Sequence, residues 1–573
     1  MSLENLGLVE EFEYRADHMT LDELEQSTAE TKFYGNVVHK LLARGSKVIV
    51  GPRGVGKTHH MKIALKQSIY NKTKPLPIYV SFSKYLRLEP LKNHTSVAIQ
   101  YFHCWVLSKI LLGLKETLIL IESPKTQQLL KQIDWDDIHL FCEQIEKQQT
   151  RDWQNSLLEK ISVDKVTYYI EAAIEATNRK HAILLCDDAA LVLTKDYMIE
   201  FFDIFRSLKS SKISPKASVY PNTEFGPRFH IGQDAESISC WPSVIDSEYE
   251  KLFEDIYQKR YKTELKDDVK KCFMYAAFGI PRAFINLINQ YNISNNKGQQ
   301  SQINTVLANQ SEIILQEFLS LATKQPQYKY YVQAGYEIFN KIITVMIQEN
   351  KEALGSRKQQ IFLGILKDFD QEGKKAKDLK IITRLLEETG LLARVGDVKH
   401  GTNTMGKPRV YDRYIPHLTL LIKDGGYQLG RAALSSNFSE YVSYPKEKHP
   451  CRKNSFSEFI DASVLENLSL DLPPCGKCSN PRSDIAQRFC MYCGSELINK
   501  STFEELVSRK IDDLPLSNWL KNKIASETRI ETVADIVFHN NPNQELRKAR
   551  GVGEKRASKI IEEATRDIEE FLY

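Results

Sequence analysis

The segment Gly51-Pro-Arg-Gly-Val-Gly-Lys-Thr58 fits the phosphate-binding pattern G-x-x-x-x-G-K-[ST] with no substitution. Gly51, Gly54 and Gly56 allow the backbone to curl so that successive N–H groups face inward. Those donors, with the positive end of a following helix, hold the β- and γ-phosphates of a nucleoside triphosphate. Lys57 adds a point charge on the same oxygens, and the Thr58 hydroxyl is placed to ligate Mg²⁺. The candidate nucleotide contacts are therefore Gly51, Pro52, Arg53, Gly54, Val55, Gly56, Lys57, Thr58 and His59. A glycine turn that fits by chance is the alternative. The flanks weigh against it, because Lys47–Val50 reads as a buried strand and His59–Ser68 as a helix.

A second set of chemistry-bearing residues follows. His181-Ala-Ile-Leu-Leu-Cys-Asp-Asp188 is a short apolar run ending in two carboxylates. A parallel strand buried on both faces has this composition, and acids at its C-terminal end stand where open α/β sheets bind ligands. Asp187 is then the Mg²⁺ holder, directly or through water, and Asp188 orients or deprotonates the attacking water. In isolation the pair also reads as a helix N-cap after a core strand; the upstream glycine loop favours the catalytic reading. Ala217–Pro221 predicts a further strand, and Asn222 at its tip is a candidate to hydrogen-bond the γ-phosphate or the water, an ordinary Pro-Asn turn being the alternative. In Gly279-Ile-Pro-Arg282, Pro281 suits a first helical turn. Arg282 then carries positive charge near a helix start, where it is intrinsically unfavourable and where an anion would offset it; a solvated surface arginine is the alternative.

Cys475-Gly-Lys-Cys478 and Cys490-Met-Tyr-Cys493 are two C-x-x-C pairs separated by 11 residues. That spacing can bring four thiolates onto one tetrahedral Zn²⁺, with Gly476 and Gly494 easing the knuckle turns. A site closed by four cysteines is structural, with redox disulfides as the alternative. The other cysteines, including Cys104, Cys142, Cys186, Cys240 and Cys272, read as buried small apolar residues, and Cys451 has no assigned role.

Basic residues gather in two places. Gly551-Val-Gly553 lies between Arg547, Lys548, Arg550 on one side and Lys555, Arg556, Lys559 on the other. Glycine N–H groups at a helix start can hold a DNA phosphate, and the flanking cations add attraction that ignores sequence. A protein-docking hairpin is the alternative. Lys407 and Arg409, with Lys399 and His400, charge the loop between two predicted strands, where DNA contact and plain domain packing remain equal readings.

At 573 residues the chain is too long for one core and predicts about three to five domains. With 42% hydrophobic and 27% charged residues it reads as ordinary soluble protein. A net charge of +4 does not by itself argue for nucleic acid. No apolar run is long enough to span a bilayer, and Met1 to Asn5 does not begin a secretory signal, so a cytoplasmic, reducing compartment and no membrane association are expected.

The elements that must position these residues follow from pattern. Thr20 and Glu23 have capping-box spacing, and a helix from about Asn36 to Ala43 could wall an adenine pocket. Pro77–Ser81 reads as a strand, Thr95–Arg179 as helical, Phe201–Leu208 as a helix and Glu248–Gln290 as a small helical bundle. Tyr331–Glu349, Lys358–Phe369 and Lys377–Thr389 read as helices, the last stopped by Gly390. Leu391–Val398 and Arg409–Tyr414 read as strands.

Taken in order, the glycine loop, Asp-Asp strand, polar-tipped strand and Gly-x-Pro-Arg helix resemble the AAA+ ATPases of the origin-recognition (ORC-type) class and the related STAND ATPases, over roughly residues 15–425. The resemblance implies Walker A at Lys57 and Thr58, Walker B at Asp187 and Asp188, sensor 1 at Asn222 and sensor 2 at Arg282, with Arg206 or Arg228 as an arginine finger. The initiator pattern usually ends Asp-Glu; here it is Asp-Asp, as in STAND proteins. The cysteine segment resembles a zinc ribbon. The C-terminal hairpin resembles a helix-hairpin-helix and, with Leu514–Phe538, the C-terminal domain of the RNA polymerase α subunit.

The expectation is a multidomain α/β P-loop ATPase, a parallel sheet with helices, plus smaller domains. Residues 1–245 form the ATPase core, 246–325 a helical lid, 326–425 a winged helix, 426–470 a linker in which Phe456–Leu468 could form a short helix, 471–500 the zinc ribbon and 501–573 an all-α helix-hairpin-helix domain. Its expected cofactors are ATP, Mg²⁺ and Zn²⁺. Its expected partners are DNA, held mostly by its backbone, an effector protein and further copies of the chain in a homo-oligomer. The expected function is an ATP-hydrolysing, DNA-associated switch or motor, which by resemblance fits anti-phage defence or mobile-element biology. The rival is a STAND-type scaffold that binds ATP with little turnover and recruits an effector.

Overall fold

Five parallel strands form the first sheet: β1 (Lys47–Val50), β2 (Leu76–Ser81), β3 (Ala182–Asp187), β4 (Ile213–Val219) and β5 (Glu236–Ser239), in the order β2-β3-β4-β1-β5. The computed structural model describes residue 16 and residues 19–572 apart from 95–96, 190–194, 263, 295–297, 353–360, 368–372, 403–404, 424–450, 483–486, 488, 498–501 and 515. Expectations placed on 426–450 lie outside those residues.

The sequence explains the sheet. Every residue of β3 and β4 is buried, as a central parallel strand covered on both faces requires. β4 sits between β1 and β3, so its C-terminal tip lies beside both the glycine loop and the Asp-Asp pair. Helix Lys57–Ile69 follows the loop, as expected, and the 98–176 helices cover the sheet with Phe102 and Trp105 in the core. The edge strand β5 was not foreseen: only one of its four residues is buried, so it carries no apolar run.

Helices Tyr249–Arg260, Asp267–Ala276, Pro281–Ile293 and Gln299–Lys324 follow, with Pro281 in the first turn as its fixed φ predicts. The long helix Lys329–Glu352 and helix Gly373–Glu388 then pack with a second sheet. It holds β6 (Leu363–Leu366), β7 (Leu392–Thr402), β8 (Pro408–Pro416) and β9 (Cys451–Lys453), in the order β7-β8-β6-β9. Two readings change here. Within Lys358–Phe369, expected as a helix, Leu363–Leu366 is a strand paired antiparallel to β8; a short apolar run does not reveal its period. Residues 451–470, expected mostly as linker, join this core: β9 pairs with β6, the short helix expected within Phe456–Leu468 is present as two pieces, Phe456–Phe459 and Ala462–Glu466, and Cys451, Phe456, Phe459, Leu465 and Leu468 are buried. The polar residues between these anchors hid their spacing.

The C-terminal helices are Thr502–Val507, Asn518–Glu527, Val533–Val537, Pro542–Leu546 and Glu554–Leu572, and their buried residues run on into the core of the first sheet. Among the described residues no helix is long and apolar enough to cross a membrane.

Candidate functional site

The glycine loop leaves β1 and enters helix Lys57–Ile69 through Gly54 (φ 83°) and Gly56 (φ 91°). A Cβ on Gly54 would lie 2.9 Å from Ile280 Cγ2, so this position needs glycine for space as well as for conformation. Lys57 Nζ donates to the carbonyls of Gly51 (2.7 Å) and Pro52 (3.0 Å) and lies 4.2 Å from the centre of the Tyr220 ring. Burial, reinforced by Arg282, lowers the Lys57 ammonium to about 8 against the pull of Asp187 and Asp188.

One cavity collects much of what the sequence singled out. Arg53, Gly54, Val55, Gly56, Lys57, Thr58 and His59 line it, together with Asp188 and Arg282. Its other end is apolar and aromatic, with Ala29, Phe33, Tyr34 and Ile256. The helix expected from Asn36 starts at Lys32, which brings Phe33 and Tyr34 to that wall. The Thr20–Glu23 capping box forms as spaced.

The two carboxylates are held differently. Asp187 is 1% exposed and does not line the cavity. Tyr79 donates to its Oδ2 (2.9 Å); Ser218 Oγ (2.8 Å) and the Asp188 N–H (3.1 Å) donate to its Oδ1. Asp188 faces the cavity with φ 56°, a left-handed conformation rare for a non-glycine residue, and its N–H also donates to Ser218 Oγ at 2.8 Å. The carboxylate that opens to a ligand is therefore Asp188, and Asp187 stands behind it as its anchor.

Asn222 also has a left-handed backbone (φ 57°), but its amide donates to Glu387 (2.6 Å), and it does not line the cavity. Gly51 and Pro52 lie outside the lining too. Pro52 packs instead against Gly390, where an added Cβ would lie 3.4 Å from the proline Cβ. Arg228 pairs with Asp203 (2.5 Å), and Arg206 donates to the Arg228 carbonyl (3.5 Å). Sequence reasoning missed Ser218, Tyr79, Tyr220 and Arg260. A serine inside the buried run of β4 was a legible signal; an arginine ending an amphipathic helix was not.

These residues fit a Mg²⁺-nucleotide. The donor set is oxygen-rich and hard, with Thr58 and Asp188 both lining the cavity, and the Lys57 ammonium beside the glycine loop suits phosphate oxygens. Thr58 and Asp188 would hold the ion, which would neutralise phosphate charge.

No protein-family model matches the chain, and no curated protein does. Among solved structures, the Orc1 protein of Aeropyrum pernix in complex with DNA is similar at 11% identity and a TM-score of 0.28, covering 70% of this chain and 91% of that one. A likeness of that size carries no argument about fold or function, which rest on the geometry.

The four cysteines come together as their spacing predicts. Their sulfurs all lie within 4.8 Å of one another, with Cys475 to Cys493 at 3.6 Å and Cys478 to Cys490 at 3.5 Å. A tetrahedral Zn²⁺ with arms of about 2.3 Å has edges of about 3.8 Å, whereas a disulfide needs about 2.05 Å. The residues thus fit a closed zinc site. Each knuckle is closed by matching bonds, Ser479 N–H to Cys475 O (2.8 Å) and Gly494 N–H to Cys490 O (2.9 Å). The left-handed residues are Ser479 and Gly494; Gly476, expected to ease the first turn, has no such φ.

At the C-terminal hairpin Arg547, Lys548, Arg550, Lys555, Arg556 and Lys559 are all exposed. Arg556 is committed internally: it donates to Gly551 O (2.7 Å) and lies over the Trp519 ring at 5.5 Å. Lys548 bonds Glu545. A Cβ on Gly551 (φ 92°) would lie 3.0 Å from Trp519, whereas one on Gly553 meets nothing within 4 Å. Lys407 and Arg409 are exposed on the β7–β8 hairpin.

Proposed function

We propose that this chain is an ATP-binding and ATP-hydrolysing switch or motor that works on DNA with a partner protein. The observation that carries the reading is the single cavity in which Arg53 to Thr58 of the phosphate loop, Asp188 and the lid arginine Arg282 meet the apolar and aromatic residues Ala29, Phe33, Tyr34 and Ile256. Loop N–H groups and Lys57 hold the phosphates, Thr58 with Asp188 holds Mg²⁺, and Arg282 offsets charge on the terminal phosphate. Asp188 also stands where it can orient water. The four-cysteine site is read as a structural zinc ribbon, and the second sheet unit as a winged helix.

DNA contact is assigned to the C-terminal helix-hairpin-helix, through the Gly553 backbone and the exposed cations, with the Lys407–Arg409 wing as a secondary surface. Such contacts read the DNA backbone and give little base preference. Self-association and effector recruitment belong to the same reading.

One observation favours the scaffold alternative. Gly390 and Glu387 of the second sheet unit close onto Pro52 and Asn222 of the first, an arrangement suited to holding a nucleotide state rather than cycling fast. Steady-state ATP hydrolysis with and without duplex DNA tests the choice. Turnover that rises with DNA supports the motor. Stoichiometric ATP binding without turnover in either condition selects the scaffold, and no nucleotide binding at all would refute both.

A further inference from the structure

We propose that Arg260 is a nucleotide-binding residue, its guanidinium donating to acceptor atoms on the nucleoside half of the ligand; this rests on the nucleotide reading of the cavity. Arg260 ends helix Tyr249–Arg260. Leu252, Ile256 and Arg260 recur every four residues, share one helical face, and all line the cavity. Arg260 is 9% exposed, its Nε has no hydrogen-bond partner, and among the described residues no carboxylate pairs with it.

An arginine does not escape burial by losing its proton, so a buried guanidinium without acceptors costs several kcal/mol as an order of magnitude. A cation at a helix C-terminus gains only about 0.3–1 kcal/mol from the helix dipole. Lys259, in the same turn, already collects that gain while pairing outward with Glu30 at 2.7 Å. The dipole therefore does not explain why Arg260 points into a cavity. A ligand that brings acceptors does.

The surroundings say which half of the ligand it meets. At the phosphate end Lys57 interacts with Cys240, Asp187, Asp188 and Arg282, whereas Arg260, with His60 and Lys62, disfavours the charged form of His59. His59 is bonded to Thr28 (2.8 Å) and set edge-on to Tyr34 at 5.7 Å, at the aromatic end. His60, stacked on Tyr34 at 4.1 Å, bonds Gly56 O through Nδ1 (2.7 Å), and its Nε2 is buried without a partner. With Nδ1 donating, Nε2 is an acceptor. This end thus offers a donor fork, and an acceptor held in place by the Gly56 bond, beside an aromatic wall, the complement of a heterocyclic base and its sugar.

The test compares ADP with inorganic tripolyphosphate, which has a phosphate chain one unit longer and lacks the nucleoside. Both would be titrated calorimetrically in Mg²⁺ against the full-length wild type, Arg260→Met and Arg260→Lys. Arg260→Met keeps the apolar stem and removes the donors. ADP affinity should fall about 10- to 100-fold in Arg260→Met and less in Arg260→Lys, while tripolyphosphate binding stays unchanged. The ligand-free Arg260→Met protein should melt no lower than wild type, since it loses an unpaired buried charge. Unchanged ADP affinity overturns the proposal, and so does an equal loss for both ligands, which would mark a phosphate contact or a disturbed fold. A wild type that binds neither ligand overturns the nucleotide reading itself.

Discussion

Asn222 donates its side-chain amide to the Glu387 carboxylate at 2.6 Å, tying the tip of β4 to helix Gly373–Glu388 of the second sheet unit. Arg384 to Glu224 (2.6 Å) and Arg53 to Glu317 (3.6 Å) add to the same latch beside the phosphate loop. Burial raises the Glu387 carboxyl to about 7, with the Asn222 amide opposing. An acid whose folded value is raised contributes its full stability below about 4.5 and loses it as pH rises towards about 7. Thermal midpoints should therefore fall from pH 5 to pH 8 by more in wild type than in Glu387→Gln, which cannot ionise. Parallel pH profiles for the two proteins would exclude this role for Glu387.

Lys57→Ala should lose most ATP affinity and all turnover, since the phosphates lose their cation. In wild type, a free ammonium near 8 must be protonated to bind phosphate. ADP affinity should therefore fall towards tenfold per pH unit above pH 8, and Lys57→Ala should lack that slope. A flat wild-type profile between pH 8 and 10 would contradict the assignment.

Asp188→Asn should weaken Mg²⁺-dependent ADP binding and lower hydrolysis at least about 100-fold, as expected for loss of a carboxylate that holds the ion and orients water. Asp187→Asn should instead lower thermal stability, because Tyr79 and Ser218 lose a charged acceptor. Single-turnover hydrolysis and melting curves separate the two; hydrolysis retained in Asp188→Asn would move the base elsewhere.

The purified chain should carry one zinc ion per monomer. Cys478→Ser should lose it and increase proteolysis near residues 470–500, leaving ADP binding intact. Elemental analysis of freshly reduced wild-type protein finding no zinc would count decisively against the ribbon.

DNA binding should depend on Gly553 and on the exposed lysines of the last helix. Gly551 is a poor probe because a side chain there strains φ and strikes Trp519. Gly553→Val has open space and should block phosphate approach without disturbing the fold. Lys555→Gln with Lys559→Gln should weaken all duplexes alike and flatten the logarithmic salt slope by about two. Unaltered affinity and slope in both variants would make the hairpin a protein-docking surface.

The phosphate loop, its strand and helix, the Asp-Asp strand and the four cysteines were legible in the sequence because each depends on local spacing. Glycines that must curl, a run buried on both faces, and C-x-x-C pairs on knuckle turns each leave a pattern among near neighbours in the chain. The strands β9 and β5 were not legible, because a few buried residues among polar ones carry no period. Only the tertiary structure decided the division of labour at the site. Strand order put β4 between the loop and the carboxylates, which gave Asp187 to Tyr79 and Ser218 and turned Asp188 to the cavity. The same packing gave Asn222 to Glu387, 165 residues away, and buried Arg260 with its Nε unpartnered among the described residues. Partnership and desolvation are properties of residues brought together from distant parts of the chain, so no local pattern records them.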